Sequence, residues 1–353
     1  IMAYTTINKS SEHFNTVIYS GNNTTGRAIT GVSFAPDFLW LKERTNDVGS
    51  HFLVDNVRTQ TGTGGGWLQT NATDSATVDT NVITSLDSDG FTVGNDDDTN
   101  GSGDTYVGWN WKANGAGSAN TAGSINSTVS ANTTSGFSIV SYTGNGTGNS
   151  TIGHGLGATP KFIIVKRTSS AQSWGTLNPF FVSASEPRVI YLNQTGSYAN
   201  DTNVWGTSAT FNNNTFTVGD WAGSNSNGDT FIAYCFADVK GYSKMGNFFG
   251  NGNVDGTFIY TGFKPAFVMF KGNNTSDWQL WDNKRDTFNP VEKAMHPNAG
   301  GGASTDQDID FLSNGFKIRS FEAHLNGSGV EFIFMAFAEA PLVGTNNVPC
   351  TAR

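Results

Sequence analysis

The sequence predicts an all-β protein, organised as three tandem antiparallel β-sandwich repeats. Three observations carry that expectation. Four landmarks recur in the same order along the chain. Helical spacing is almost absent, with no stretch of 12 residues showing apolar positions at clean intervals of three and four. Short apolar runs bounded by Gly, Asn, Asp or Pro occur throughout.

The first landmark is a Gly-Asn pair, whose Asn22, Asn145 and Asn251 lie 14, 15 and 14 residues before a proline. The second is a hydrophobic run between that proline and a lysine six residues on: Pro36–Lys42, Pro160–Lys166 and Pro265–Lys271. The third is a turn closed by an aromatic residue, Phe91, Phe216 or Phe316. The fourth is an asparagine, Asn100, Asn225 or Asn326, six residues before the aromatic that opens an apolar strand, Tyr106, Phe231 or Phe332. The prolines are spaced by 124 and then 105 residues, and the extra length falls in Gly/Ser/Thr/Asn-rich tracts such as 62–67 and 114–136. Added residues in loops cost little closure entropy, so these tracts read as loops and linkers.

The implied organisation is an N-terminal arm (1–13), a first repeat (14–113), a linker (114–135), a second repeat (136–240), a third repeat (241–341) and a tail (342–353). The arm is a candidate attachment segment. Each repeat is long enough to bury a core of its own. The last strand of each is apolar on both faces. Val107, Ile232 and Ile333 share one column, Trp109, Tyr234 and Met335 the next, then Trp111, Phe236 and Phe337. Bulky residues at alternate positions read as the inward face of each sandwich.

Composition narrows the function. The chain has 353 residues, a net charge of −9, 14% charged residues, 43 glycines and 12% aromatic residues. An acidic chain argues against nucleic-acid binding, which relies on basic patches. No segment approaches the ~20 apolar residues of a membrane span. The opening MAYTTINKSSEHF is polar, unlike a signal peptide. Two cysteines, Cys235 and Cys350, make no disulfide framework, and Cys235 inside FIAYCFA reads as a buried free thiol.

Several phrases together resemble a family common in marine bacteriophage genomes. They are MAYTTINKSSEHFNTVIYSGN at the start, YVGWNWKAN, IGHGLGATPKFIIVKR (152–167), FIAYCFADVKGYSKMGNFFGNGNVDGTFIYTGFKPAFVMFK (231–271), DNKRDTFNP (282–290) and LSNGFKIR (312–319). The resemblance runs from Met2 to Pro341. It implies phage structural or tail-fibre proteins carrying a concanavalin-A-like, lectin-like domain of unknown function. It implies a virion component and no catalytic residues.

Each group of residues that could carry chemistry also has a simpler reading. Asn95–Asp104, with Asp96, Asp97, Asp98 and Asp104, offers hard oxygen ligands for Ca²⁺. An EF-hand loop starting at Asp96 would need an acid at Val107, so that motif fails, and a solvated Asp/Asn turn is the competing reading. Asp55/Arg58 and Asp282/Arg285 recur in the first and third repeats. Beside Trp278 and Trp281 such a pair could grip a sugar, or it could close a strand-to-turn junction. Asp306, Asp308 and Asp310 alternate without counterparts elsewhere and read as a polar strand edge. Glu331 and Glu339 flank an apolar run and make no facing carboxylate pair of the glycosidase kind. His13, His51, His154, His296 and His324 have no metal or triad spacing, and His154 reads as a turn residue capping backbone groups. Neither a cofactor nor a metal is expected.

The expected function is therefore a non-enzymatic virion structural protein: a tail fibre or tail-associated adhesin whose loop tips contact host-surface glycan. Alternatives are a capsid decoration or head-fibre protein, and a polysaccharide depolymerase. The expected partners are other virion proteins and further copies of the chain.

Overall fold

The computed structural model describes residues 4–45, 49–58, 66–79, 81–180, 188–207, 210–305 and 308–349. The chain is all-β, built from antiparallel sheets, and the described residues include three one-turn α-helices and one 3₁₀ turn. Cys350, Asp306 and most of the 62–67 tract lie outside the described residues.

Three segments of the chain each form a larger and a smaller sheet. In the first, the larger sheet runs in the order Phe14–Ser20, Thr105–Trp111, Phe38–Glu43, His51–Asp55, with Leu68–Gln69 at its edge. In the second, the same order is taken by Phe137–Thr143, Thr230–Phe236, Phe162–Arg167 and Gly175–Leu177, and in the third by Ser243–Phe249, Glu331–Pro341, Phe263–Gly272 and Gln279–Asp282. Register fixes which residues correspond. Phe38 lies opposite Trp111, Phe162 opposite Phe236 and Phe267 opposite Phe337. The three Pro-to-Lys runs thus hold the same place, although Pro265 sits inside its strand at a bulge whereas Pro36 and Pro160 precede theirs.

The smaller sheets pack on the outer faces of the larger ones. Tyr106, Leu39 and Leu41 meet Ile29, Ile83 and Phe91 in the first segment. Phe231, Ala233 and Cys235 meet Ile152 and Phe216 in the second. Phe332, Phe334 and Ala336 meet Ile259, Phe311 and Phe316 in the third. Cys235 is a buried free thiol, as the sequence suggested, and burial raises its pKa so that it stays protonated.

The opposite faces correct an expectation. The three columns that begin at Val107, Ile232 and Ile333 do not line the interior of each sandwich. All nine residues join one core shared by the three segments. Trp111, Phe236 and Phe337 meet as a triangle, with ring centroids 6.4, 5.9 and 5.5 Å apart. Each segment thus keeps a core of its own between its two sheets, and a fourth core, between the larger sheets, joins the three segments. Both faces of each last strand are buried, which is why these strands lack polar alternation.

Two further expectations change. The stretch read as a linker contains the strands Ser118–Asn120 and Ser127–Asn132, which extend the second larger sheet. Their Ser and Asn content reflects a half-exposed sheet edge and not an unstructured connection. The N-terminal arm, from Tyr4 on, lies on the body. Ile7 enters the shared core, the Tyr4 hydroxyl donates to Gly262 O at 3.1 Å, and Thr345 N donates to Asn8 Oδ1 at 2.9 Å.

The recurring asparagines explain themselves in pairs. Asn100, Asn225 and Asn326 are fully buried. The Oδ1 of each accepts the amide of Asn22, Asn145 or Asn251 at 3.1, 2.9 and 3.0 Å. The Nδ2 of each donates to Gly94 O, Gly219 O or Ser320 O at 2.8, 2.9 and 2.9 Å. One side chain thus staples two loops by satisfying otherwise orphaned backbone groups. The Gly-Asn landmark and the pre-strand asparagine are two halves of one structural device.

Candidate functional site

The ionisable residues sort into those that hold the segments together and those that face solvent. Asp55 and Asp282 belong to the first kind. Each is fully buried, and each Oδ2 accepts the Nε of Arg58 or Arg285 at 2.5 Å. Each Oδ1 caps the following turn, accepting Val57 N and Arg58 N in one case and Lys284 N and Arg285 N in the other. The remaining bond comes from another segment. Tyr234 OH donates to Asp55 at 2.8 Å, and Trp109 Nε1 donates to Asp282 at 3.0 Å. With Asp282, Trp278 and Trp281 all fully buried, no sugar reaches them. The strand-to-turn junction is the correct reading, and it doubles as a seam between segments.

Other seam bonds run in the same rotary sense. Trp174 Nε1 donates to Gln69 O at 2.9 Å, Trp278 Nε1 to Tyr191 O at 3.1 Å, and Lys42 Nζ to Gly300 O at 3.1 Å. The lysine landmark is buried in all three segments. Lys271 Nζ donates to Gly272 O, Asn274 O and Ser276 Oγ, and Lys166 Nζ to Thr73 O and Gln172 O. Burial lowers the pKa of Lys166 and of Lys271 to about 8.

The Asp96–Asp104 loop is a helix-capping turn. Asp96 is the N-cap of the helix Asp97–Asn100, and its side chain accepts Asp98 N at 2.9 Å. Desolvation raises the pKa of both Asp96 and Asp98. Among the described residues, no three His, Cys, Asp or Glu are grouped to hold a metal ion.

His154 caps backbone as the sequence suggested. Its Nδ1 accepts Leu156 N at 3.2 Å, and its Nε2 lies 3.1 Å from Asn212 O. That pattern requires the neutral tautomer with the proton on Nε2. His51 is also fully buried, with its Nδ1 accepting Trp40 Nε1 at 2.9 Å. Burial lowers both pKa values, that of His51 well below the usual range, with Lys42 adding to the effect there. A histidine held neutral in the fold binds fewer protons than the unfolded chain once pH drops below ~6.5, so stability must fall as pH falls through that window. Each of the two should contribute up to about 1.4 kcal/mol per pH unit below ~6.5. Urea midpoints at pH 7.5 and pH 5.5 read this directly. His154→Gln should flatten the difference, and identical midpoints for the unaltered chain would refute the account.

One group of solvent-facing residues lies together on the third segment. A surface depression of about 580 Å³ is lined by Val254, Asp255, Asn289, Pro290, Asp308, Asp310 and Arg319. Ile309 and Phe311 point into the core while Asp308 and Asp310 alternate outward on an edge strand, which fits the polar-edge expectation. Arg319 Nε lies 3.2 Å from Asp310 Oδ2, and Lys317 Nζ lies 2.5 Å from Asp255 Oδ1. The hydrogen bond from Lys317 is the main reason the Asp255 carboxyl stays below its usual range. Phe288, next to Asn289, is 75% exposed, and Phe321, two residues beyond Arg319, is 60% exposed. The sequence pointed to Asp308 and Asp310 but not to Arg319, which the hairpin of Ile309–Leu312 and Gly315–Ile318 brings beside them, nor to Asp255, which the pairing of Phe258–Tyr260 with Gly315–Ile318 brings there.

A second opening, of about 550 Å³, runs between the strands Ser243–Phe249 and Phe258–Tyr260. Phe180, Phe258, Tyr260, Lys161 and Lys244 are among its walls.

No curated protein and no solved structure matches this chain. A family model described as a domain of unknown function, DUF7483, matches residues 9–341. That span includes every strand of all three segments, and the chain therefore belongs to the DUF7483 family.

Proposed function

We propose that the protein is a non-catalytic structural component of a bacteriophage particle: a tail fibre or tail-associated adhesin, displayed in multiple copies, whose third segment touches host-surface glycan. The observation that carries this reading is the depression around Asp310 and Arg319. Carboxylate, amide and guanidinium groups in one shallow site suit the paired hydroxyls of a sugar, and exposed rings such as Phe288 and Phe321 suit its apolar face. Such contacts are weak singly and gain strength from repetition on a particle. We read the three segments as tandem copies of one lectin-like sandwich. The shared strand order, the shared asparagine staples and the like-placed lysines support that reading. The first and second copies then act as scaffold, and the third carries the diverged surface.

The test is binding to purified host-surface polysaccharide, with reducing-end release measured alongside. Asp310→Asn and Arg319→Ala should each weaken binding at least tenfold with an unchanged melting temperature and no release of sugar. Unaltered binding in both variants removes the depression from the account, and sugar release would turn the reading to a depolymerase. Antibody labelling of intact particles decides position. Label on fibres supports the adhesin, while label in icosahedral array over the head supports a capsid decoration protein.

A further inference from the structure

In the second segment, the outer edge of Phe137–Thr143 is covered by the strand Ser127–Asn132, which pairs with it antiparallel, Thr128 opposite Ser141 and Ser130 opposite Ile139. The corresponding strand of the third segment is Ser243–Phe249. Met245 and Asn247, opposite Met335 and Ile333, take the places of Ile139 and Ser141, opposite Tyr234 and Ile232. Among the described residues no strand lies beyond Ser243–Phe249, which ends its sheet. At one end of this edge Ser243 N donates to Val239 O at 2.9 Å and Met245 N to Asp238 Oδ1 at 2.8 Å. From Asn247 onward the edge opens into the 550 Å³ cleft.

The walls of that cleft differ from the matching positions elsewhere. Phe258 and Tyr260 stand where the first segment has Ala28 and Thr30 and the second has Thr151 and Gly153. Lys244 stands where they have Asn15 and Ser138. In the first segment Asn15 Nδ2 closes the gap by donating to Val32 O at 3.0 Å. In the second, Ser127 Oγ, on the added strand, donates to Gly153 O at 3.0 Å. The third gap is open, and its wall rings are large and exposed, Phe258 at 43% and Tyr260 at 48%. Two ammonium groups, Lys161 and Lys244, line it in a chain of net charge −9; among the described residues one carboxylate, Asp238, joins them and accepts the Met245 amide, which leaves those walls with a net positive charge.

We propose that this cleft receives an extended acidic segment of another protein, added antiparallel to the open end of Ser243–Phe249, from Asn247 onward, as Ser127–Asn132 is added to Phe137–Thr143. Main-chain bonds at Asn247 supply the register, the Phe258 and Tyr260 rings receive alternate side chains, and Lys161 and Lys244 select for carboxylates. The site is distinct from the glycan depression, so each reading can fail alone.

The test uses the full chain and a labelled ten-residue peptide alternating valine and glutamate, followed by fluorescence anisotropy. The glutamate peptide should bind at least tenfold more tightly than its lysine counterpart, and N-methylation of alternate amides should abolish binding. Lys161→Glu/Lys244→Glu should reverse the charge preference, and the Asn247 amide should exchange more slowly in the complex. Absence of binding by the glutamate peptide overturns the proposal, as does binding indifferent to N-methylation. If oligogalacturonate binds through the same lysines and the peptides do not, the cleft is a saccharide site and the proposal fails. Melting temperatures of the variants, expected to be unchanged, separate lost binding from lost fold.

Discussion

Replacing Trp111 by alanine is expected to destabilise all three segments together, by about 3–5 kcal/mol. Trp111 is 1% exposed and belongs to the shared core. Its ring meets Phe236 of the second segment and Phe267 and Phe337 of the third, with centroids 6.4, 5.6 and 5.5 Å away. Alanine would remove packing from every segment at once and leave a cavity that rigid sheets cannot close. Three sandwiches held only by their own cores would respond differently, because only the first would weaken. Urea unfolding followed by amide exchange at Val107, Ala233 and Ala336 distinguishes the cases. These amides should lose protection at one shifted midpoint. If Ala233 and Ala336 keep their original protection while Val107 loses it, the segments do not share a folding unit.

How much of this was legible in the sequence depended on whether a signal was local. The asparagine staples were visible because both partners recur at fixed spacing. The all-β class was visible because period-two strands alternate with turn residues. The direction of the strand faces was not. FIAYCFA is apolar at every position, so nothing in it says which face meets its own smaller sheet and which meets the other segments. The strand Ser127–Asn132 was missed for the opposite reason. With the pattern STVSAN it is polar enough to pass for a linker, and what makes it a strand is the ladder offered by Phe137–Thr143. For Asp55 and Asp282 a junction role was visible but their burial was not, because charged residues are rarely buried alone. Their burial depends on Tyr234 and Trp109, which lie 179 and 173 residues away in sequence.

That same dependence makes Asp282→Ala the second large effect, a loss of about 3–5 kcal/mol. Asp282 is fully buried, and the Arg285 side chain is 1% exposed. Without the carboxylate, the guanidinium keeps the carbonyls of Leu280 and Lys293 and the face of the Trp109 ring, 5.6 Å away, and Trp109 Nε1 loses its acceptor. Most of the cost is an uncompensated buried charge, so removing the partner as well should relieve it. Asp282→Ala/Arg285→Met is expected to lose less than half as much as the single variant. The chain itself contains a neutral version of this seam. By register Asn178 takes the place of Asp55 and Asp282, and three residues on the sequence has Phe181 where the others have arginine. The position matching Trp109 and Tyr234 is Met335, which has no proton to donate. Donor, carboxylate and guanidinium are thus present together at two seams and absent together from the third, as expected if the three groups matter only as a set. Urea midpoints for the single and double variants measure that coupling, and additive losses would show that Asp282 and Arg285 act independently.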